Sequence, residues 1–473
     1  MVINMIIEKE IERAAKRIAA LDTSANKKSA DELNRLIAQA KSEAADLTCN
    51  FSDTSSLIIR KAGKKRFVKR YDDLYSCENI LSQCIKQILD RSFKIRYPNR
   101  AKMIRELFDI MNATIKMSNF TILKFDFKNY FNSLSATYLF EKFIKSNILD
   151  RFQLSLIEDY TRKTKYAYAG LPSSNAMAEI AGAAFDHTVR QVFQNSGLIY
   201  YARYIDDCVL ILNNHIEQVE LQKLLDQILS DIFYDTAIKS GKKCKTKYNA
   251  SKFSYISKQQ LLAPSGTANS SAFDFLGYEF TLYCSNPSAN APKVEIKYGI
   301  TNAKQQKYNT RIDKLIKEYA DDPSHENLEL LRHRIAAFTS REVYLIKRFR
   351  SNIWRVKGVI ANYGELRYFV DTPQIESKTK HFLEHMVTDA FSRAGIQVPY
   401  FLKSTQQATS GYNLLDNLRS NKSLVFVEHI GYDYRALIRL CEQIGIQTTD
   451  ANGKRRGYDT LVKEYLIKVK AGY

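Results

Sequence analysis

The chain has 473 residues, too long for one small domain and enough for two or three at about 150 residues each. Its apolar and charged content is that of an ordinary globular protein, which excludes disorder, collagen and coiled coil, and no run of about 18 apolar residues is present to span a membrane. Lys and Arg number 71 against 51 Asp and Glu, a net charge of +20 that favours a polyanionic partner, nucleic acid before anionic membrane, over an uncommitted basic surface.

In chain order, residues 5–45 are rich in helix formers and free of Gly and Pro, and predict helix. The N-terminus is not a secretory signal, because Glu8, Glu10 and Glu12 follow its short apolar stretch at once. Residues 57–70 predict a hairpin turning at Ala62-Gly63, and a helical pattern follows to about 90. Residues 119–126 alternate like a strand, 176–195 predict a helix, 198–213 a hairpin and 216–236 another helix. Stretches 264–275 and 284–292 are rich in Pro, Ser, Ala and Asn and predict loops. Beyond about 300 the period is helical, with Asp322-Pro323 as a helix start and Leu328, Leu331, Ile335 and Phe338 on one apolar face. The seven cysteines are scattered, odd in number and without a C-x-x-C pair, which argues against a disulfide framework or zinc ribbon and for a reducing, cytoplasmic setting.

Asp206-Asp207, between the apolar runs Leu198–Ala202 and Cys208–Leu212, is the strongest local signal. It reads either as a surface Asp-Asp turn or as an oxygen site for a hard divalent ion at a hairpin tip. Asp126, at the end of the strand ILKF, supplies a third carboxylate from another strand. Three carboxylates on adjacent strand ends suit two-metal nucleotidyl transfer.

These residues resemble reverse transcriptases. Asp126-Phe127-Lys128-Asn129-Tyr130-Phe131-Asn132-Ser133-Leu134 is similar to the family's first catalytic motif, and Tyr204-Ile205-Asp206-Asp207 to its Y-x-D-D box. Gly170-Leu171-Pro172 lies between them and resembles the G-[IL]-P motif; Phe275-Leu276-Gly277-Tyr278 follows and resembles the primer grip. The resemblance covers roughly residues 57–283. It implies that Asp126, Asp206 and Asp207 are catalytic and hold two Mg²⁺. It also implies that Phe131 lies under the sugar of a dNTP and selects against a 2′-hydroxyl, the alternative being a core aromatic.

Further dNTP-binding residues follow from the same resemblance. The basic hairpin matches the family's fingers hairpin, with Arg66 and either Arg60 or Lys61 on the triphosphate, against the alternatives of a solvated hairpin or a template-tracking patch. Lys245-Thr246, in the lysine-rich stretch 239–247, resembles the motif whose lysine protonates pyrophosphate, although the stretch reads more readily as a plain basic loop. Ser173 stands where many members carry Gln beside the nucleotide, and Ser174 replaces the second glycine of G-[IL]-P-x-G, a departure that puts ordinary processive copying in doubt. The stretch Arg96–Arg100 reads as template-path lining or as local packing.

The fold expected is α+β: a right-hand polymerase with an antiparallel palm sheet, a helical thumb and an α-rich C-terminal domain. Its expected parts are a helical segment 1–50, fingers and palm 51–285, thumb 286–370, and a domain of unknown role 371–473. No endonuclease, zinc or RNase H motif is assignable, which leaves free-standing bacterial enzymes and, among them, the defence-associated, abortive-infection-like group. That resemblance implies an RNA-directed or template-independent DNA polymerase in antiphage defence, acting on dNTPs, often as a homo-oligomer. The nucleic-acid partner is a noncoding RNA in some relatives; in others synthesis starts on a protein tyrosine, for which the terminal Tyr473 is a candidate. The alternatives are a retron-type or other host-genome enzyme without a defence role, and a catalytically silent nucleic-acid-binding scaffold.

Overall fold

The protein is seen in a computed structural model that describes residues 5–22, 28–61, 64–234, 246–263, 269–285, 292–346, 353–402 and 412–470. It is an α+β chain whose sheets are almost wholly antiparallel, and it divides into two compact units. The first comprises Met1–Asn99 and Met117–Gln259; the second comprises Arg100–Lys116 and Gln260–Tyr473.

The first unit is built on a five-stranded sheet. Strands β1 (Ser55–Lys61) and β2 (Lys64–Arg70) form a separate two-stranded hairpin. In the main sheet β3 (Thr121–Lys128) is central, between β5 (Asp207–Leu212) on one side and β6 (Lys247–Tyr248) and β7 (Ser254–Ser257) on the other, with β4 (Leu198–Tyr204) beyond β5. Because strand side chains alternate, Leu123, Phe125 and Phe127 of β3 enter the main apolar core. Phe127 meets Phe185 of helix Ser174–Gln194 and Phe233 of helix Gln218–Phe233, with centroids 5.1 and 5.5 Å away. The other face of β3 carries Lys124 and Asp126, and the chemistry gathers there.

Residues 5–45 do not form one helix. Helices Met5–Leu21 and Ala30–Asp46 are separate, the second opened by a capping box in which Ser29 caps Glu32 and Glu32 reaches back to Ser29. That Ser-x-x-Glu signal was present inside the helix-forming stretch.

The second unit is less helical than the sequence suggested. Strands β8 (Ser270–Phe275), β9 (Tyr278–Ser285) and β10 (Lys293–Ile300) make one antiparallel sheet, so part of the expected loop 264–275 is strand. Helix Arg100–Thr114 belongs with this sheet because Phe108 packs on Tyr278, Phe280, Tyr298 and Phe369, with ring centroids 4.5–5.6 Å apart. Helices Asn302–Ala320 and His325–Thr339 occupy part of the expected helical thumb, but β11 (Glu342–Ile346) and β12 (Ile353–Lys357) follow, and β11 pairs in parallel with β13 (Leu424–Phe426). The second of those helices starts at His325, capped by Ser324 rather than Asp322, since the Ser324 hydroxyl accepts from Asn327 N at 3.2 Å. Leu331, Ile335 and Phe338 are buried as expected, and Leu328 is half-buried. Helices Ser377–Arg393, Tyr434–Gln443 and Tyr458–Lys468 make the C-terminal region α-rich.

Candidate active site

Asp126 and Asp207 lie directly opposite each other on β3 and β5. Strands β4 and β5 join through Ile205-Asp206, since Tyr204 pairs with Asp207. The turn is anchored across the sheet: Phe127 N donates to Asp206 O at 2.9 Å, and Asn249 N donates to Asp126 O at 2.8 Å. The three carboxylates predicted from sequence are thus brought to one end of the central strands.

Two opposed carboxylates repel, and burying each costs of order several kcal/mol without compensation. Two lysines compensate. Lys124, two residues before Asp126 on the same strand face, places its ammonium 3.2 Å from Asp207 Oδ1, and its side chain is only 2% exposed. Lys252, on the short turn of helix Ala250–Lys252, places its ammonium on Asp126 Oδ2, and its side chain is 41% exposed. The other oxygen of Asp126, Oδ1, is buried with no hydrogen-bond partner among the described residues. Lysines hold Asp126 and Asp207, and the carboxylate oxygens of Asp126, Asp206 and Asp207 do not gather within 4.8 Å of one another. Among the described residues only Glu43, Cys49 and Glu78 bring three ligand atoms within 4.8 Å of one another. An all-oxygen donor set with an unused buried oxygen on Asp126 fits Mg²⁺, a hard ion that prefers carboxylates.

The turn itself is strained. Ile205 has φ 62°, a left-handed conformation that a β-branched residue rarely adopts. Arg203 holds it there: Nη1 donates to Ile205 O at 2.9 Å while the guanidinium pairs with Glu179 at 2.9 Å and Asp186 at 2.8 Å. Burial disfavours the charge, but Tyr130, Asp186 and Glu179 outweigh it and keep the Arg203 pKa well above its ordinary value. Glu179, Gly182 and Asp186 share one face of helix Ser174–Gln194, and Gly182 leaves room for the guanidinium: a Cβ there would stand 2.3 Å from Arg203 Cζ. Sequence reasoning missed Lys124, Arg203, Glu179, Asp186 and Lys252. Two of them had a signal, since Arg203 precedes the Tyr204–Asp207 box and Lys124 sits two residues before Asp126, on the same strand face.

Gly170 has φ 101°, and a Cβ on it would lie 2.3 Å from Lys69 O of β2. Lys69 N donates to Ala169 O at 2.9 Å, so the Gly-Leu-Pro segment is sewn to the basic hairpin. Ser173, expected beside the nucleotide, is fully buried, its Oγ 3.4 Å from Ser82 Oγ, and faces inward. Phe131 is half-buried, its ring 5.8 Å from that of Tyr130. Thr246 is buried and bonds Ser133 at 2.7 Å, which ties the Lys-Thr segment to the Asp126 motif. Lys245 and Tyr473 lie outside the described residues, as do the side chains of Arg60, Lys61 and Arg66, whose backbones pair in the β1–β2 ladder.

The Phe275–Tyr278 motif is in the second unit. Leu276 and Gly277, at φ 53° and 86°, form the turn between β8 and β9, and the Phe275 and Tyr278 side chains are fully buried. Tyr278 donates to Glu365 Oε2 at 2.5 Å. Arg100 donates to Leu276 O at 2.7 Å and lies over the Tyr278 ring, so this residue of the 96–100 stretch has a packing role. The turn carbonyls are taken up as well, since Thr301 N donates to Gly277 O at 3.2 Å.

No protein-family model matches the chain, and neither does any curated protein. Solved structures similar to it include apo telomerase from Candida tropicalis truncated from its C-terminal domain, 12% identical over 55% of this chain and 61% of that one, TM-score 0.32. Telomerase from Candida albicans in complex with the TWJ fragment of telomeric RNA is another, 12% identical over 92% of this chain and 66% of that one, TM-score 0.38. The chain therefore spans less than two thirds of either telomerase's own length. No described helix is long and apolar enough to cross a membrane.

Proposed function

We propose that the protein is a reverse-transcriptase-like DNA polymerase, RNA-directed or template-independent, that adds dNTPs by two-metal nucleotidyl transfer. The observation that carries this is the facing of Asp126 and Asp207 on adjacent antiparallel strands with Asp206 in the turn between β4 and β5. In this reading the first unit's sheet is the palm, β1–β2 the fingers hairpin and helices Asn302–Ala320 and His325–Thr339 part of the thumb.

Asp126 and Asp206 would hold two Mg²⁺, with Asp207 assisting. When bound, such ions lower the pKa of an attacking hydroxyl and neutralise the departing pyrophosphate. The chain's own residues do the positioning. Lys124 keeps Asp207 oriented. Arg203 fixes the turn that presents Asp206. A 3′-hydroxyl, or a protein hydroxyl, then attacks the α-phosphate of a dNTP in line. The basic hairpin suits the triphosphate, and the chain's +20 charge suits an RNA or DNA partner.

The sequence resemblance to free-standing bacterial enzymes is what suggests a role in antiphage defence, in the cytoplasm and as a homo-oligomer. The test is incorporation of labelled dNTPs by the purified chain with Mg²⁺, with and without RNase pretreatment, resolved on a denaturing protein gel. Label that stays on the polypeptide and resists RNase supports a protein-primed, template-independent enzyme. Label lost on RNase treatment supports a bound RNA as template or scaffold, and no incorporation under any condition contradicts the polymerase reading.

A further inference from the structure

The two lysines at the acidic centre are not equivalent. Lys124 is at the middle of the central strand with a side chain 2% exposed, so moving its ammonium would break an ion pair on the buried side of the sheet. Lys252 is 41% exposed, and it rides on a single turn, Ala250–Lys252, outside the sheet ladder. A free lysine ammonium is strongly hydrated and its stem flexible, so leaving Asp126 for water costs Lys252 little. Asp126 is the reverse case: it is 4% exposed, with Oδ2 on Lys252 and Oδ1 buried and unbonded among the described residues, so as a carboxylate it is best kept beside a cation.

We infer that Lys252 is a displaceable placeholder cation. It neutralises Asp126 until a divalent ion binds and is then released toward solvent, whereas Lys124 stays on Asp207. This rests on the reading of Asp126 as a metal ligand and adds to it a counter-ion exchange. The exchange keeps the buried carboxylate compensated, and the site folded, before metal and nucleotide arrive. It also sets the metal affinity, because each Mg²⁺ must compete with the ammonium for the same carboxylate. A released Lys252 becomes a cation free to meet an anionic ligand.

The test uses the full chain and two readouts other than synthesis: Mg²⁺ binding by titration calorimetry, and the Mg²⁺-induced rise in melting temperature. Lys252→Met is expected to melt lower than the parent without Mg²⁺, to bind Mg²⁺ about tenfold or more tightly, and to show a larger Mg²⁺-induced rise. Lys252→Arg, which keeps a cation there, is expected to stay close to the parent. Should Lys252→Met fail to fold, hydrogen exchange on the unaltered chain decides: Mg²⁺ is expected to speed exchange at residues 250–252 and leave β3 protected. Asp126→Asn separates the two readings. Mg²⁺ binding that needs Asp126 but is indifferent to Lys252, or no change in exchange at 250–252, overturns the placeholder while leaving the metal site. Mg²⁺ binding that does not need Asp126 overturns both.

Discussion

Lys124 and Asp207 form an ion pair inside the central sheet, 3.2 Å apart across the β3–β5 register, with the lysine side chain almost wholly withdrawn from water. A carboxylate opposite Asp126 would otherwise destabilise the sheet at the point where the site requires it. The pair lets two acidic residues face each other without unfolding the strand ends that carry them.

Removing one partner of that pair should therefore be costly. Lys124→Met is expected to lose about 2–3 kcal/mol, at the lower end for a buried pair because Asp207 is partly exposed. The double variant Lys124→Met, Asp207→Asn should lose less than the sum of the singles, since the stranded charge is gone. Urea unfolding of the four proteins measures the coupling, and strict additivity would show that the two side chains do not interact.

Gly182→Ala should destabilise against its helix propensity. Alanine gains about 1 kcal/mol over glycine inside a helix. Here its methyl would meet Arg203 Cζ, and that guanidinium is pinned by Glu179, Asp186 and Ile205 O, so it cannot step aside without breaking those bonds. A net loss of about 1–3 kcal/mol is expected, with lower activity as the Ile205-Asp206 turn relaxes. A variant more stable than the parent would show that Arg203 is not held where the structure has it.

At Gly170 both conformation and space exclude a side chain. Its φ is 101° and a Cβ would stand 2.3 Å from a backbone oxygen of β2. Gly170→Ala should lose on the order of 2–3 kcal/mol and free the basic hairpin for proteolysis. Limited digestion reads this directly: cleavage within 55–70 should accelerate, while helix Ser174–Gln194 stays protected.

The second unit should lose stability in mild acid through His333. This residue is buried, with Nδ1 2.9 Å from Tyr465 Oη and Nε2 3.1 Å from Gln443 Oε1, and burial lowers its pKa. Below about pH 6.5 the unfolded chain takes up a proton that the folded imidazole refuses, so stability falls as pH drops from 6.5 toward the folded value and is unaffected by this group above it. His333→Gln should remove that part of the pH dependence in urea titrations at pH 7.5 and 5.5; an unchanged slope would contradict the assignment.

The acidic centre was legible in the sequence because each part of it is local. Asp126 ends an alternating run, and Asp206-Asp207 interrupts another. Lys124 and Arg203 stand beside those motifs, but their pairings were not legible, because Lys124 meets Asp207 only through the β3–β5 register, and Arg203 meets Glu179 and Asp186 only when helix Ser174–Gln194 packs on β4. The second unit was misread for a different reason. Lys293–Ile300 alternates buried and exposed along Val294, Ile296 and Tyr298, a strand signal present in the sequence but overshadowed by the helical period that follows it. The parallel pairing of β11 with β13 joins segments some eighty residues apart, and no local pattern announces it. Ser173 was placed by its position beside Pro172, whereas its burial against Ser82 depends on helix Cys77–Ser92.

The most direct test of the central claim is Mg²⁺-dependent dNTP incorporation by the parent chain beside Asp206→Ala and Asp126→Asn, each checked for folding by circular dichroism and melting temperature. The parent is expected to incorporate dNTPs, while both variants fold and lose incorporation by at least a thousandfold, about 4 kcal/mol of barrier. A folded Asp206→Ala protein with parental activity would contradict it.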